Sequence, residues 1–168
     1  MIADALRLML FPAMMAFAAS SDLLTMTISN RVSLILAGGY FGLGAASGMG
    51  GADMLMHLAA GTAVLVAGFV CFARGWMGGG DAKLAAATAL WLGFGHLFDY
   101  LIYASLFGGA LTILLLQYRM LPFPRFLANQ QWATRLHEKD CGVPYGIALA
   151  AAGLCVYPDT AFMKAIGL

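Results

Sequence analysis

Charged residues are scarce in this sequence of 168 residues: 10% are Asp, Glu, Lys or Arg, whereas 62% are hydrophobic. An ordinary water-soluble domain is about a quarter charged. So little charge excludes a water-soluble fold, because a chain this short cannot bury that much apolar surface within itself. The 21 glycines and 11 methionines suit helices that pack closely in lipid, where Gly is well tolerated. The sequence therefore predicts an integral membrane protein whose apolar surface is covered by the lipid bilayer.

Several other chemical signals are also missing. The net charge is only +1 and Lys and Arg form no run, which argues against nucleic acid as a partner and against a polybasic lipid anchor. Cys71, Cys141 and Cys155 include no CxxC spacing, so a disulfide framework or a four-cysteine zinc site is not expected. The three histidines have no HxxxH or HExxH spacing. We therefore expect no metal and no other cofactor.

Long apolar runs dominate the rest of the chain. A bilayer-spanning helix needs about 20 residues, and six candidate runs cover residues 2–20, 32–47, 54–73, 82–97, 98–117 and 143–157. The fourth and fifth runs are separated only by His96 and Asp99, where we expect a turn. The first run also resembles a signal peptide, but Arg7 lies well inside it instead of in a basic leading region. The predicted fold is all-α: a polytopic membrane helix bundle of about six transmembrane helices, forming one domain over residues 1–168.

The distribution of basic residues tests this topology independently, because Lys and Arg collect in cytoplasmic loops. With the N-terminus outside, seven of the nine basic residues fall on the inner face: Arg31, Arg74, Lys83, Arg119, Arg125, Arg135 and Lys139. Only Arg7 and Lys164 remain outside. The acidic residues divide evenly between the two faces. We therefore predict a multi-pass membrane protein with its N-terminus outside.

The longest polar interval, residues 118–142, has two alternative interpretations. It contains Pro122 and Pro124, followed by apolar residues interleaved with Arg and His: Phe126, Leu127, Trp132, Ala133 and Leu136. This pattern is typical of a short helix lying on the inner leaflet of the membrane. An ordinary solvated loop explains it equally well.

The strongest candidate for chemistry is the segment Gly78-Gly79-Gly80-Asp81, at the junction of a loop and an apolar helix. Three glycines leave the backbone free to contact an extended peptide, and Asp81 lies near the positive end of the helix dipole. The alternative is that Asp81 is simply the N-cap of that helix, a common role for Asp. On local sequence alone, the capping interpretation is favoured.

A second carboxylate changes this balance. Asp22 follows the first apolar run, and the predicted topology places it on the same inner face as Asp81. Two carboxylates held within a few ångströms cannot both ionise easily, so they share a proton. One can then accept a proton from an attacking water while the other donates a hydrogen bond to the developing oxyanion. Such a pair can hydrolyse a peptide bond without a metal and without a nucleophilic Ser or Cys.

Three motifs carry a resemblance to a known family. Gly78-Gly79-Gly80-Asp81 matches the GxGD signature of the GxGD aspartic peptidases, and with Ala82-Lys83-Leu84 it resembles the short type IV prepilin peptidases of the Tad/CpaA type. Asp22, followed by Ile28-Ser29-Asn30, is similar to the family's aspartate followed by Ile-Pro-Asn. Pro144-Tyr145-Gly146 resembles the family's segment that opens the last helix. The resemblance therefore spans nearly the whole chain.

The resemblance implies a membrane-embedded aspartic endopeptidase for pilus biogenesis, located in the bacterial inner membrane with its active site facing the cytoplasm. Its substrates would be Flp-type prepilins or pseudopilins, cleaved after a glycine on the cytoplasmic side. Asp22 and Asp81 would form the catalytic dyad, supported by the motif residues Gly78, Gly79, Gly80, Asn30, Lys83, Pro144, Tyr145 and Gly146. The cysteine-rich insertion of the longer relatives is absent, so we expect cleavage without N-methylation.

Some roles and functions stay open at this point. Lys83 either tunes Asp81 or is a positive-inside anchor, and Asn30 either positions substrate or caps the second helix. Ser29 replaces the family's proline, which we expect to loosen the start of that helix. A presenilin-like peptidase lacks support, because there is no Tyr-Asp pair in an apolar run and no Pro-Ala-Leu motif. The alternative from another class is a small proton-coupled transporter or a pilus or secretion assembly scaffold.

Overall fold

A computed structural model of the protein describes residues 2–124 and 129–164, and the regular secondary structure in these stretches is entirely helical. The helices are α1 (Ile2–Thr25), α2 (Asn30–Ala46), α3 (Gly51–Ala73), α4 (Gly79–Met120), α5 (Gln131–His137), α6 (Gly146–Val156) and α7 (Ala161–Lys164), with a 3-10 turn at Tyr157–Asp159. The predicted all-α class is confirmed.

Three of the described helices are long and apolar enough to cross a membrane: Asp4–Thr25, Gly51–Ala73 and Gly79–Met120. Large apolar side chains project from their outer surfaces, among them Phe69, Leu106 and Leu114, each more than 55% exposed. In water these side chains would be costly, whereas lipid covers them. The chain is therefore a membrane protein built as a helix bundle.

Helix α4 is interrupted at Gly93, whose backbone has φ 65° and ψ 179°. Residues 79–92 (α4a) and 94–120 (α4b) run back alongside each other, since Ala85 and Ala104 line one recess and Asp81 and Thr112 line another. With α4 divided in this way, the six predicted apolar runs correspond to α1, α2, α3, α4a, α4b and α6.

The turn predicted at His96 and Asp99 is wrong, because the helix continues through both residues. The break lies at Gly93, in a backbone region that is essentially restricted to glycine. The break leaves carbonyls without helical partners, and the Nδ1 atom of His57 on α3 lies 2.9 Å from the carbonyl oxygen of Leu90. A side chain from a neighbouring helix thus satisfies the end of α4a.

An aromatic cluster joins α1, α2, α4a and the C-terminal segment. Trp91 is fully buried, and its Nε1 donates a hydrogen bond of 2.8 Å to the carbonyl oxygen of Leu36. Phe11 stacks on Tyr157 with ring centroids 4.4 Å apart, and both rings contact Trp91. This packing fixes α1 and α6 side by side, which determines where their ends lie.

The polar interval between α4 and α6 contains the short helix α5, on which Ala133 and Leu136 are buried. A helix in this interval was one of the two interpretations of the sequence. Its location on the membrane surface stays a prediction. Arg125, Phe126 and Leu127 lie outside the described residues.

Candidate active site

Asp22 lies near the C-terminal end of α1 and is only 5% exposed. Its Oδ2 accepts a hydrogen bond of 2.7 Å from the backbone N–H of Gly146, the first residue of α6. The first N–H groups of a helix have no intrahelical partner and favour negative charge. The start of α6 therefore orients a buried carboxylate on a different helix.

Asp81 lies in the first turn of α4, and it is not the N-cap that the local sequence favoured. The N-cap is Gly78, and Asp81 is the third helical residue. Its carboxylate folds back over the Gly78 backbone, so closely that a Cβ atom added to Gly78 would lie 2.8 Å from Asp81 Oδ2. An acidic side chain at this position can still satisfy the N-cap amide. Capping and catalysis are thus compatible roles for Asp81.

The two aspartates lie at the same end of the bundle, close enough for the charge of Asp22 to act on Asp81. Ile28, in the α1–α2 connection, packs against Gly80, which precedes Asp81, and against Gly146, which bonds to Asp22. A Cβ atom on Gly80 would lie 3.1 Å from Ile28 Cβ, and one on Gly146 would lie 2.6 Å from Ile28 Cδ1. The fold therefore brings Asp22 and Asp81 to the same end of the bundle, while their catalytic role stays a prediction.

The three glycines before Asp81 permit close packing within the protein. Gly78 leaves room for the Asp81 carboxylate, and Gly80 faces Ile28. Gly79 faces α3, where an added Cβ would lie 3.3 Å from Phe72 Cε2. Because larger residues would push these neighbours away, the glycines help to set the position of Asp81.

Asp81 opens onto a pocket of about 480 Å³ between α4 and the loop before α6. The other lining residues are Trp76, Met77, Gly78, Thr112, Val143 and Tyr145. Thr112 was missed in the sequence, whereas Trp76 and Met77 directly precede the glycine motif and Val143 directly precedes Pro144, although none of these three was named as a site residue. Thr112 had a usable signal, since it is a hydroxyl-bearing residue inside the apolar run of α4b.

Tyr145 connects this pocket to the membrane-embedded part of α4b. Its hydroxyl donates a hydrogen bond of 3.3 Å to the carbonyl oxygen of Ala104. Tyr145 and Met77 also line an adjacent, mainly apolar recess of about 380 Å³ between α3, α4 and α6. Pro144 precedes Tyr145, and its carbonyl accepts a hydrogen bond of 3.3 Å from the N–H of Ile147. The segment 144–146 thus reaches both the Asp81 pocket and Asp22.

Asn30 and Lys83 do not line the Asp81 pocket. Lys83 Nζ donates a hydrogen bond of 2.8 Å to Asn30 Oδ1, and both residues border a separate apolar groove. Of the two alternatives for Asn30, the N-cap role is wrong, because Ser29 is the N-cap of α2 and accepts a hydrogen bond of 3.3 Å from the N–H of Arg31. Ser29 therefore secures the helix start that its replacement of proline was expected to loosen.

A family comparison agrees with this arrangement. A model of the type IV leader peptidase family matches residues 9–113, which is more than half of the chain and includes both aspartates. This chain belongs to the type IV leader peptidase family. The leader peptidase assignment confirms the family-level resemblance in the sequence. No curated protein and no solved structure matches the chain.

Among the described residues, no three His, Cys, Asp or Glu side chains gather into a group that could hold a metal ion. Over the same residues, neither Asp22 nor Asp81 forms an ion pair with Lys or Arg.

Proposed function

We propose that this leader peptidase is an aspartic endopeptidase that removes the leader from Flp-type prepilins or pseudopilins, cleaving after glycine. The observation that carries the proposal is the placement of Asp22 and Asp81 at the same end of the bundle, where Asp81 lines a pocket. An ionisable residue within a membrane bundle normally has a charge partner or a functional role. Neither aspartate has a basic partner among the described residues.

The proposed reaction needs only water and the carboxylate pair. One carboxylate accepts a proton as water attacks the scissile carbonyl, and the other, protonated, donates a hydrogen bond to the oxyanion. The proton then passes to the leaving amine as the C–N bond breaks. The hydrogen bond from Gly146 holds Asp22 in a fixed orientation for this work.

The surroundings of Asp81 suit a substrate with a polar cleavage site next to an apolar segment. The pocket beside Asp81 accepts the scissile peptide, and the recess that shares Met77 and Tyr145 accepts apolar side chains that follow it. The basic residues at this end, including Arg31, Arg74 and Arg119, support a cytoplasmic orientation under the positive-inside rule. The proposed activity does not include N-methylation, because the chain lacks the cysteine-rich insertion of the bifunctional relatives.

The test is cleavage of a leader-bearing Flp-type prepilin by the purified protein in lipid nanodiscs, followed by mass spectrometry of the product. Asp22→Asn and Asp81→Asn keep the side-chain shape and remove the acid, so we expect each to lower kcat by about 100- to 10,000-fold. Asp99→Asn is the matched control, because Asp99 is an exposed acid on α4b outside the pocket.

Wild-type cleavage after glycine, lost in both variants and kept in the control, would support the aspartic mechanism. Wild-type rates in both variants would rule out the dyad. If wild type releases no shortened pilin, the result favours the transporter or scaffold alternative. Proton uptake into proteoliposomes would then distinguish a transporter from a scaffold.

A further inference from the structure

The loop of residues 138–145 carries several parts of the proposed site although it has no helix of its own. It places Val143 and Tyr145 in the Asp81 pocket and leads directly into Gly146, whose N–H holds Asp22. A site built on a loop is accurate only when neighbouring groups fix that loop. The question is which side chains hold the 138–145 loop in place.

Arg119, in the last turn of α4, donates three hydrogen bonds, one to the end of α5 and two to this loop. Its Nε donates to the carbonyl oxygen of Leu136 at 2.9 Å, at the C-terminal end of α5. Its Nη2 donates to the carbonyl oxygens of Cys141 at 2.8 Å and Gly142 at 2.9 Å. The planar fork of a guanidinium can meet three carbonyls from one position, which an ammonium group cannot do. Arg119 therefore ties both the end of α5 and the loop to α4b.

A second arginine attaches the segment formed by α5 and the 138–145 loop to α1. Arg135 on α5 donates a hydrogen bond of 3.1 Å to the carbonyl oxygen of Leu24, close to Asp22 on α1. The segment is thereby attached to α1, which carries Asp22, and to α4, which carries Asp81. Of the two arginines, Arg119 bonds directly to the loop that ends at Gly146.

We propose that Arg119 is a positioning residue for the peptidase reaction, in addition to its part in the positive-inside charge pattern. By fixing Cys141 and Gly142, it sets the path of the chain into Gly146 and so the orientation of the Asp22 carboxylate. This inference rests on the proposed function of the two aspartates. The alternative is that Arg119 contributes only its positive charge at the aspartate-bearing end of the bundle.

The test compares Arg119→Ala and Arg119→Lys with Lys139→Ala in nanodiscs. Lys139 is an exposed cation in the same loop, so its removal costs the same charge without touching the carbonyl contacts. The first readout is kcat and KM for a leader-bearing prepilin. The second is hydrogen–deuterium exchange of the backbone amides of residues 141–146, which needs no turnover, with exchange in α1–α4 as the check on folding.

For Arg119→Ala we expect kcat to fall by about 10- to 100-fold, since a displacement of about 1 Å can cost that much. We also expect faster exchange at residues 141–146, with α1–α4 unchanged. Arg119→Lys should recover less than half of the lost rate, because it keeps the charge but not the fork. Lys139→Ala should stay within about twofold of wild type, the size of effect expected for an exposed charge.

Three results would overturn the inference: wild-type kcat and exchange in Arg119→Ala, full recovery in Arg119→Lys, or equal losses in Arg119→Ala and Lys139→Ala. Failure of the proposed function looks different. In that case wild type itself does not cleave, or the aspartate variants cleave normally, while the exchange data still report whether Arg119 holds the loop.

Discussion

The two ends of the bundle each bury an ionisable residue of α1, but the two residues have different partners. At the arginine end, Arg7 is 8% exposed and is paired: it donates to Asp4 at 3.1 Å and to Ser47 at 2.5 Å. At the aspartate end, Asp22 is similarly buried, yet its hydrogen-bond partner among the described residues is a neutral backbone N–H. A buried charge with an opposite charge is explained by structure alone, whereas a buried carboxylate without one points to function.

The arginine end is also tied into the core. The hydroxyl of Tyr157 donates a hydrogen bond of 2.6 Å to the carbonyl oxygen of Arg7, and Tyr157 belongs to the aromatic cluster around Trp91. The aspartate end instead borders a pocket and is completed by a loop. We therefore expect substitutions at the arginine end to change stability and substitutions at the aspartate end to change catalysis.

The sharpest test of this contrast is Gly146→Ala. The added Cβ would lie 2.8 Å from Asp22 Oδ2 and 2.6 Å from Ile28 Cδ1, so the carboxylate or the start of α6 must move. We expect kcat for prepilin cleavage to fall by up to about 100-fold. Gly109→Ala is the matched control, because its Cβ would meet nothing within 4 Å. Equal activity in the two variants would contradict the role of Gly146.

The second test addresses the α4 break near the arginine end. Gly93→Ala places a side chain in a backbone region reserved for glycine and only 2.7 Å from His57 Nε2. We expect a loss of about 3 kcal/mol in the free energy of unfolding, measured by denaturant titration in detergent. Gly95→Ala is the control, since its Cβ meets nothing within 4 Å. A stable Gly93→Ala protein would show that the break is not required.

The smallest effect is expected for Arg7→Met, which keeps the length of the side chain and removes its donors. The loss of the Asp4 and Ser47 contacts should cost about 1–3 kcal/mol of stability, while kcat per folded molecule stays unchanged. Lys164→Met removes an exposed cation elsewhere and should cost less. A fall in kcat for Arg7→Met without loss of stability would contradict the expectation that the arginine end affects stability and not catalysis.

Much of this architecture could be predicted from the sequence because hydropathy and charge placement act over whole segments. The six apolar runs and the shared location of Asp22 and Asp81 follow from such patterns. The turn was misplaced because the polar side chains of His96 and Asp99 do not interrupt a helix, whereas the backbone of Gly93 does. Sequence polarity reports on solvent contact, and helix breaks depend on backbone conformation.

The details of the site were harder to predict from the sequence, because they depend on how distant parts of the chain pack together. Gly146 was singled out only through its motif, and its hydrogen bond to Asp22 depends on how α1 packs against α6. Val143 and Met77 carry no polar signal, so their place in the pocket follows from the path of their loops. Arg119 was counted as an inner-face charge, because nothing in its neighbours along the chain indicates three carbonyl partners.

The bond between Asp22 and Gly146 joins residues 124 positions apart, so it also orders events during biosynthesis. Asp22 leaves the ribosome early, and Gly146 follows only after α2 to α5 have been made. Until α6 enters the membrane beside α1, the Asp22 carboxylate lacks the amide that orients it. On the proposed mechanism, the site is therefore complete only after α6 has packed against α1.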